Sequence, residues 1–460
     1  MPENRMDSLV VFGATGDLAK LETFPALVGL VERGVLDNVP VIGVSNAGWD
    51  LARFREYAAD SLRLNKMDPD APAAKRMLEL LRYVDGDLNE PATYKAVGAE
   101  MPPGSHALFY LEVPPALFGR IAQGLAAAGL AKGSRVMVEK PFGFDLRSAQ
   151  ELNDTLHEHF AEGSIYRVDH WLGLESMGNV YFARFANTIV EPMLNRTYVE
   201  SIQITMAEDF GVSDRGRFYD QTGAIRDVMQ NHMLQVLATI LADPPHGTSL
   251  ETWSEEKSQV IASLRPLTVQ DTVFGQYAGY REIDGVAPDS NVETYAAIRL
   301  ACDSWRWAGV PIAIRAGKRM PVTATDVTVR FRRPPYDAFG LVPPPPANRL
   351  RFRIWPDTVV ALTVAGKKPG PDWQAEAQEL AFNQQAPGRE TRPYDRLIAA
   401  ALTGEHWLFA RQETVEAAWR VVDPILTGDV PVHPYEPGTW GPSQAADLMS
   451  DAGGWIDPEV

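Results

Sequence analysis

Ser8 to Lys20 reads SLVVFGATGDLAK. The opening SLVVF is a short run without charge, and glycines at 13 and 16 close it. An apolar run of that length bounded by glycine predicts a buried strand and a tight turn. An amphipathic run continues to about Gly34, and VPVIGVS ends near Ser45. Strand, turn, helix and strand in about 35 residues match one βαβ unit.

Outward from that unit the pattern repeats. HALFYLEVPP (His106 to Pro115) and SRVMVEKPFG (Ser134 to Gly143) each read as strand then turn, with the Ala-rich ALFGRIAQGLAAAGL between them. Strands that alternate with helices predict a parallel sheet. After about residue 175 the pattern changes. VESIQITMAED (Val199 to Asp209) alternates Ile202, Ile204 and Met206 against polar neighbours. That predicts a strand with one buried and one wet face, as in an antiparallel sheet. TYAAIRLACDSW, DVTVRFRR, RLRFRIWP and VVALTVAG are further runs of this kind, and Ala224 to Leu241 predicts a strong helix. The expected division is residues 1–172 and 173–460.

Net charge is −17, from 43 basic and 60 acidic residues, which argues against a nucleic-acid binder and an anionic-membrane binder. A local site can still be positive on an acidic protein. The single cysteine, Cys302, excludes an intramolecular disulfide. No Cys/His set has zinc spacing, and His157 and His159 lie two apart on a predicted helix and face away from each other. No metal is expected. The N-terminus lacks signal-peptide features and no apolar run reaches membrane-spanning length, so the expected location is cytoplasmic.

Gly13, Gly16 and Ala19 are spaced G-x-x-G-x-x-A between strand and helix. The glycines let backbone approach a pyrophosphate, and the helix N-terminus offers free N–H groups to it. Choice between NAD and NADP rests at the end of the second strand, Gly43-Val44-Ser45-Asn46, which carries neither an acid for a ribose hydroxyl nor an arginine for a 2′-phosphate. Arg53 and Arg55 come later, on the next helix. NADP or NAD therefore remains open.

GATGDLAK, EKPFG (Glu139 to Gly143), RVDHWLG and EDFGVSDRGRFYDQTGAIRDVMQNHMLQ (Glu208 to Gln235) together resemble the glucose-6-phosphate dehydrogenase family. FARFANTIVEPMLNR, RAGKRM (Arg315 to Met320), LFARQETVEAAWRVVDPIL and YEPGTWGP extend the resemblance nearly end to end. It implies a Rossmann-like dinucleotide-binding domain, then a larger α+β domain with a mainly antiparallel sheet, as a homodimer or homotetramer. It also implies oxidation of a sugar with hydride passing to NADP or NAD. On the family's motifs His232 is the catalytic base, Asp169 its carboxylate partner, and Lys140 the lysine between sugar and cofactor. Glu208, Asp227 and Lys318 are implied sugar ligands. Gly13, Thr15, Gly16, Asp17, Leu18, Ser45, Asn46, Pro114 and Lys140 are the implied cofactor contacts. At α-helical spacing, Asp227 and His232 point about 140° apart and do not stack.

The phosphate pocket departs from the family. His170 is kept, but the next Tyr is Trp171, a Lys is Leu174, the Gln of RIQPD is Trp355, the base after RAGK is Thr323, and a helix lysine is Glu22. All five changes remove a donor or cation. A charge-assisted hydrogen bond contributes roughly 1.5–3 kcal/mol, so the expected substrate is a sugar without the phosphate, or modified there, with Trp171, Leu174 and Trp355 as an apolar wall. The alternatives are an authentic glucose-6-phosphate dehydrogenase whose phosphate is held by Arg167, Arg315 or Arg319, a glucose–fructose oxidoreductase-like enzyme, and a catalytically silent binding or assembly relative.

Overall fold

Ser8–Phe12 forms strand β1, buried along its whole length because helices cover both faces of its sheet. The computed structural model describes residues 5–247, 249–336, 338–341, 344–383 and 391–459. β2 (Val41–Ser45), β3 (Leu81–Asp85), β4 (Ala107–Leu111), β5 (Arg135–Val138) and β6 (Ile165–Arg167) complete a six-stranded sheet. Its order is β3-β2-β1-β4-β5-β6 and every pairing is parallel. The chain reverses its direction of travel across the sheet between β1 and β4, and this opens a crevice at the strands' carboxyl ends.

Two cores cover this sheet. Leu9, Val11, Leu108, Tyr110, Met137 and Tyr166 face the helix Phe24–Glu32 and a helix from far down the chain, Pro393–Thr403. Val10, Phe12, Phe109, Leu111, Val136 and Val138 face the other way, against Phe118, Ile121 and Leu125. The strict alternation follows from the two-residue period of a strand. This unit comprises Met1–Leu174, His246–Glu255 and Arg389–Glu416.

The second unit comprises Glu175–Pro245, Glu256–Gly388 and Ala417–Val460. It is built on β7 (Val199–Ala207), β8 (Thr272–Tyr277), β9 (Tyr295–Leu300), β10 (Ile312–Gly317), β11 (Ala324–Phe331), β12 (Arg349–Trp355), β13 (Val359–Lys367), β14 (Ala375–Asn383) and β15 (Val432–Tyr435). The order is β14-β13-β12-β11-β7-β10-β9-β8-β15, antiparallel except for β7–β10 and β8–β15. No helix among the described residues is long and apolar enough to cross a membrane.

Two expectations are corrected here. The polar face of β7 is not wet: Ser201, Gln203 and Thr205 are buried. The C-terminal segment covers that face. Gln203 donates to the Gly454 carbonyl at 2.8 Å and accepts from the Ile456 amide at 2.8 Å. Arg315, 2% exposed, reaches Thr205 at 3.0 Å and Asp457 at 2.6 Å, with Trp440 and Trp455 each 4.7 Å from its guanidinium. Arg353 bonds Asp326 at 2.7 Å and also the Glu459 carbonyl. A polar stripe can thus be core when a late segment of the chain supplies its partners.

The second correction concerns the helix expected over Ala224–Leu241. Ile225–Met233 is π-helical, and only Leu234–Leu241 is α-helical. Before it, Gly216–Ala224 ends at Gly223, whose φ is +65°. A β-carbon there would lie 2.4 Å from the Glu293 carboxylate, which accepts the Ile225 amide at 3.0 Å. Glu293 therefore caps the π segment and needs glycine at 223 to approach it. In a π-helix the hydrogen bond spans five residues, so residue i+5 lies about one turn beyond residue i. Asp227 and His232 thus share one side of the helix, contrary to the α-helical expectation.

Candidate active site

The glycine turn lies at the β1–β4 reversal. Gly13 has φ +83°, and a β-carbon on it would lie 2.2 Å from the Glu112 carbonyl, so only glycine fits. Gly13 donates to Val44 at 2.9 Å, Gly16 donates to Gly13 at 2.9 Å, and helix begins at Asp17. The Tyr57 hydroxyl fastens the turn from below, donating to Thr15 at 2.9 Å. Thr15 and Leu18 are half-buried, while Gly16 and Asp17 are exposed at the edge. Free amides at a helix N-terminus beside a glycine-lined crevice fit a dinucleotide pyrophosphate.

Carboxylates follow three neighbouring strands: Glu112 after β4, Glu139 after β5 and Asp169 two residues past β6. Glu112 accepts from the Thr23 hydroxyl, and its other oxygen, Oε2, is sealed from solvent with no partner among the described residues. Burial pushes its carboxyl well above the usual range, and the Glu139 charge adds to the rise. Glu139 accepts from Tyr110 at 2.6 Å. Burial lifts it to about 7, against hydrogen bonds from Tyr110 and Tyr394 and the charge of Lys140. Lys140 is half-buried and precedes a cis Pro141, and Pro114 lies exposed two residues beyond Glu112.

Tyr394, at the start of the late helix, joins this group. It hydrogen-bonds Glu139, and its ring lies nearly parallel to that of His170, 6.4 Å away. Asp169 accepts the Trp171 amide at 3.0 Å. Trp171 is 7% exposed, whereas Leu174 is half-buried. Glu22, where a lysine was expected, lies 3.6 Å from Arg392. Arg392 also donates to the Leu21 carbonyl at 3.1 Å and to Asn65 at 3.2 Å. Arg167 is 1% exposed and held by Glu162 and Asn153.

In the second unit His232 is 1% exposed. Lys318 pairs with Glu208 and lies over the rings of Phe210 and Tyr219, at 5.3 and 5.4 Å. Tyr219 is buried and feels Asp227 and Glu208, so the three implied sugar ligands of this unit surround one tyrosine. Thr323 is bound to Asp209, whose amide donates back at 3.0 Å. Trp355, before a cis proline, is 46% exposed. Arg319 is exposed with φ +53°, pinned by its amide on Phe210 and by its carbonyl under Gly438. Its side chain passes over Gly211, and no carboxylate among the described residues pairs with it.

Sequence reasoning missed Glu112, Tyr394 and Arg392. Glu112 carried a signal, since it ends the apolar strand HALFYL. Tyr394 and Arg392 carried none, because only the return of a distant segment puts them here.

The family description "Glucose-6-phosphate dehydrogenase, NAD binding domain" matches residues 10–179, and its C-terminal counterpart matches residues 181–456. The chain is 42% identical to a Mycobacterium tuberculosis protein named glucose-6-phosphate 1-dehydrogenase 1, covering 98% of this chain and 96% of that one. It is 34% identical to the Arabidopsis thaliana protein named glucose-6-phosphate 1-dehydrogenase 6, cytoplasmic, covering 100% and 95%. A solved glucose-6-phosphate 1-dehydrogenase from Mycobacterium avium superposes with TM-score 0.92 at 39% identity, covering 100% of each chain. A glucose-6-phosphate dehydrogenase solved with glucose 6-phosphate superposes at 0.90 with 31% identity, covering 99% of each. With both of its domains matched and its sheets arranged as described, the chain belongs to the glucose-6-phosphate dehydrogenase family of oxidoreductases.

Proposed function

We propose that the chain is a glucose-6-phosphate 1-dehydrogenase. It removes hydride from C1 of glucose 6-phosphate and the proton from the C1 hydroxyl, leaving the lactone. The observation that carries the reading is full-length relatedness to proteins of that name, one of them solved with the sugar phosphate. The expectation of a sugar lacking the phosphate finds no support among these relatives.

On the family's motifs, His232 takes the hydroxyl proton, Asp169 stabilises the resulting imidazolium, and Lys140 lies against the sugar. Glu208, Asp227 and Lys318 hold sugar hydroxyls. The bound dinucleotide supplies the hydride acceptor.

The phosphate needs cations the motif no longer gives. Of the three arginines weighed, Arg167 and Arg315 are buried and committed to carboxylates. Arg319 is exposed, held by backbone bonds and next to Lys318. We assign the phosphate to Arg319. The test is steady-state kinetics of wild type and Arg319→Ala with glucose 6-phosphate and with glucose. Selective loss on the phosphorylated sugar supports the assignment, and equal loss on both refutes it.

A further inference from the structure

The sequence left the cofactor's 2′ substituent undecided, because the end of β2 shows neither an acid nor an arginine. The neighbouring strand supplies what was missing. Asp85 closes β3 and pairs in register with Ser45 of β2. Its Oδ1 accepts from the Ala47 amide at 3.0 Å, the Gly48 amide at 2.8 Å and the Tyr83 hydroxyl at 3.1 Å. The Ser45 hydroxyl lies 2.7 Å from the Tyr83 hydroxyl, and Gly48 turns with φ +69° so that its amide faces Asp85. The Ala47 and Gly48 amides just beyond β2 are thus already given to a fixed anion. Asp85 is exposed, and its Oδ2 accepts from no group among the described residues.

The cations nearby are engaged. Arg53 pairs with Glu56 at 2.6 Å and lies 5.3 Å over the Trp49 ring. Arg55 donates to the Glu79 and Leu81 carbonyls at 3.4 and 3.3 Å. Lys20 lies over the Tyr57 ring at 5.7 Å. Asn46 is exposed and uncharged, and Asp50 caps the next helix by accepting the Arg53 amide at 2.8 Å. A dianion brought to this edge meets Asp85 and Asp50, while Arg53 is paired with Glu56 and Arg55 is turned to the Glu79 and Leu81 carbonyls. A ribose with free hydroxyls meets an exposed carboxylate oxygen, the partner that NAD sites use.

We propose that the edge formed by β2 and β3 selects NAD over NADP, with Asp85 as the specificity-determining residue. The proposal concerns the dinucleotide end of the molecule and stands whichever sugar is oxidised.

Full-length protein without sugar is titrated with NADH and with NADPH, following the fluorescence of the reduced nicotinamide. Wild type is expected to bind NADH at least tenfold more tightly. Asp85→Ser is expected to narrow that ratio, and Asp85→Ser with Asn46→Arg to invert it. Asn46→Arg alone leaves the Asp85 contacts in place and should improve NADPH binding if the Asp85 variants fold poorly. Equal or tighter binding of NADPH by wild type overturns the proposal. So does an unchanged ratio in both Asp85→Ser and Asn46→Arg. Failure of the sugar assignment would leave these titrations unaffected.

Discussion

Asp227 and His232 stand five residues apart in a π-helical segment and therefore occupy the same side of it. Regular α-helix would turn one away from the other. The irregular helix brings an implied sugar ligand and an implied base to a common face. His232→Asn should lower kcat by about 10²–10⁴ while leaving dinucleotide binding intact. Asp227→Asn should instead act mainly on the sugar's KM. Measuring kcat and KM for both variants separates the two roles, and a silent relative would show no sugar-dependent reduction to lose.

Gly13 is constrained by both φ and space. Gly13→Ala puts a methyl 2.2 Å from the Glu112 carbonyl in a left-handed conformation that itself costs about 1–3 kcal/mol. The expected result is a lower melting temperature and loss of dinucleotide binding. Gly48→Ala, with open space around its β-carbon, carries only the conformational cost.

The carboxyls of Glu139 and Glu112 give stability a defined pH dependence. Both are raised by burial, Glu139 to about 7. The folded state then holds protons that the unfolded chain releases above about 4.5. Stability falls as pH rises through the interval from there to about 7. Thermal melts between pH 5 and 7.5 should show a falling midpoint, and Glu139→Gln should flatten that slope.

The C-terminal segment closes the polar face of the second sheet through Arg315. Asp457→Ala removes a charged hydrogen bond from a guanidinium sealed between two tryptophans. The expected loss is roughly 1–3 kcal/mol by denaturant unfolding. Removing residues 454–460 should cost more, since Gln203 and Arg353 lose their partners as well.

What the sequence made legible was local. SLVVFGATGDLAK carried its strand and turn, because apolar run and glycine spacing are short-range signals. The alternation in VESIQITMAED placed a strand but gave its second face to water, since alternation cannot reveal that residues 454–457 will return to cover it. Ile225–Met233 reads as any helix does, because the π widening depends on Glu293 and Gly223 outside the segment. At the site, resemblance to the family's motifs is what proposes His232, Asp169 and Lys140. Asp85 was missed because the acid that answers β2 lies on the adjacent strand, some 40 residues further on.

A glucose-6-phosphate 1-dehydrogenase must recognise the sugar's phosphate despite the altered motif. Steady-state kinetics with glucose 6-phosphate and glucose, at saturating dinucleotide, address this directly. Two charged hydrogen bonds imply kcat/KM for glucose 6-phosphate higher by about 10²–10⁴, with KM below about 1 mM. Free glucose turned over as well as its phosphate, with no saturation by glucose 6-phosphate at millimolar concentration, would contradict it.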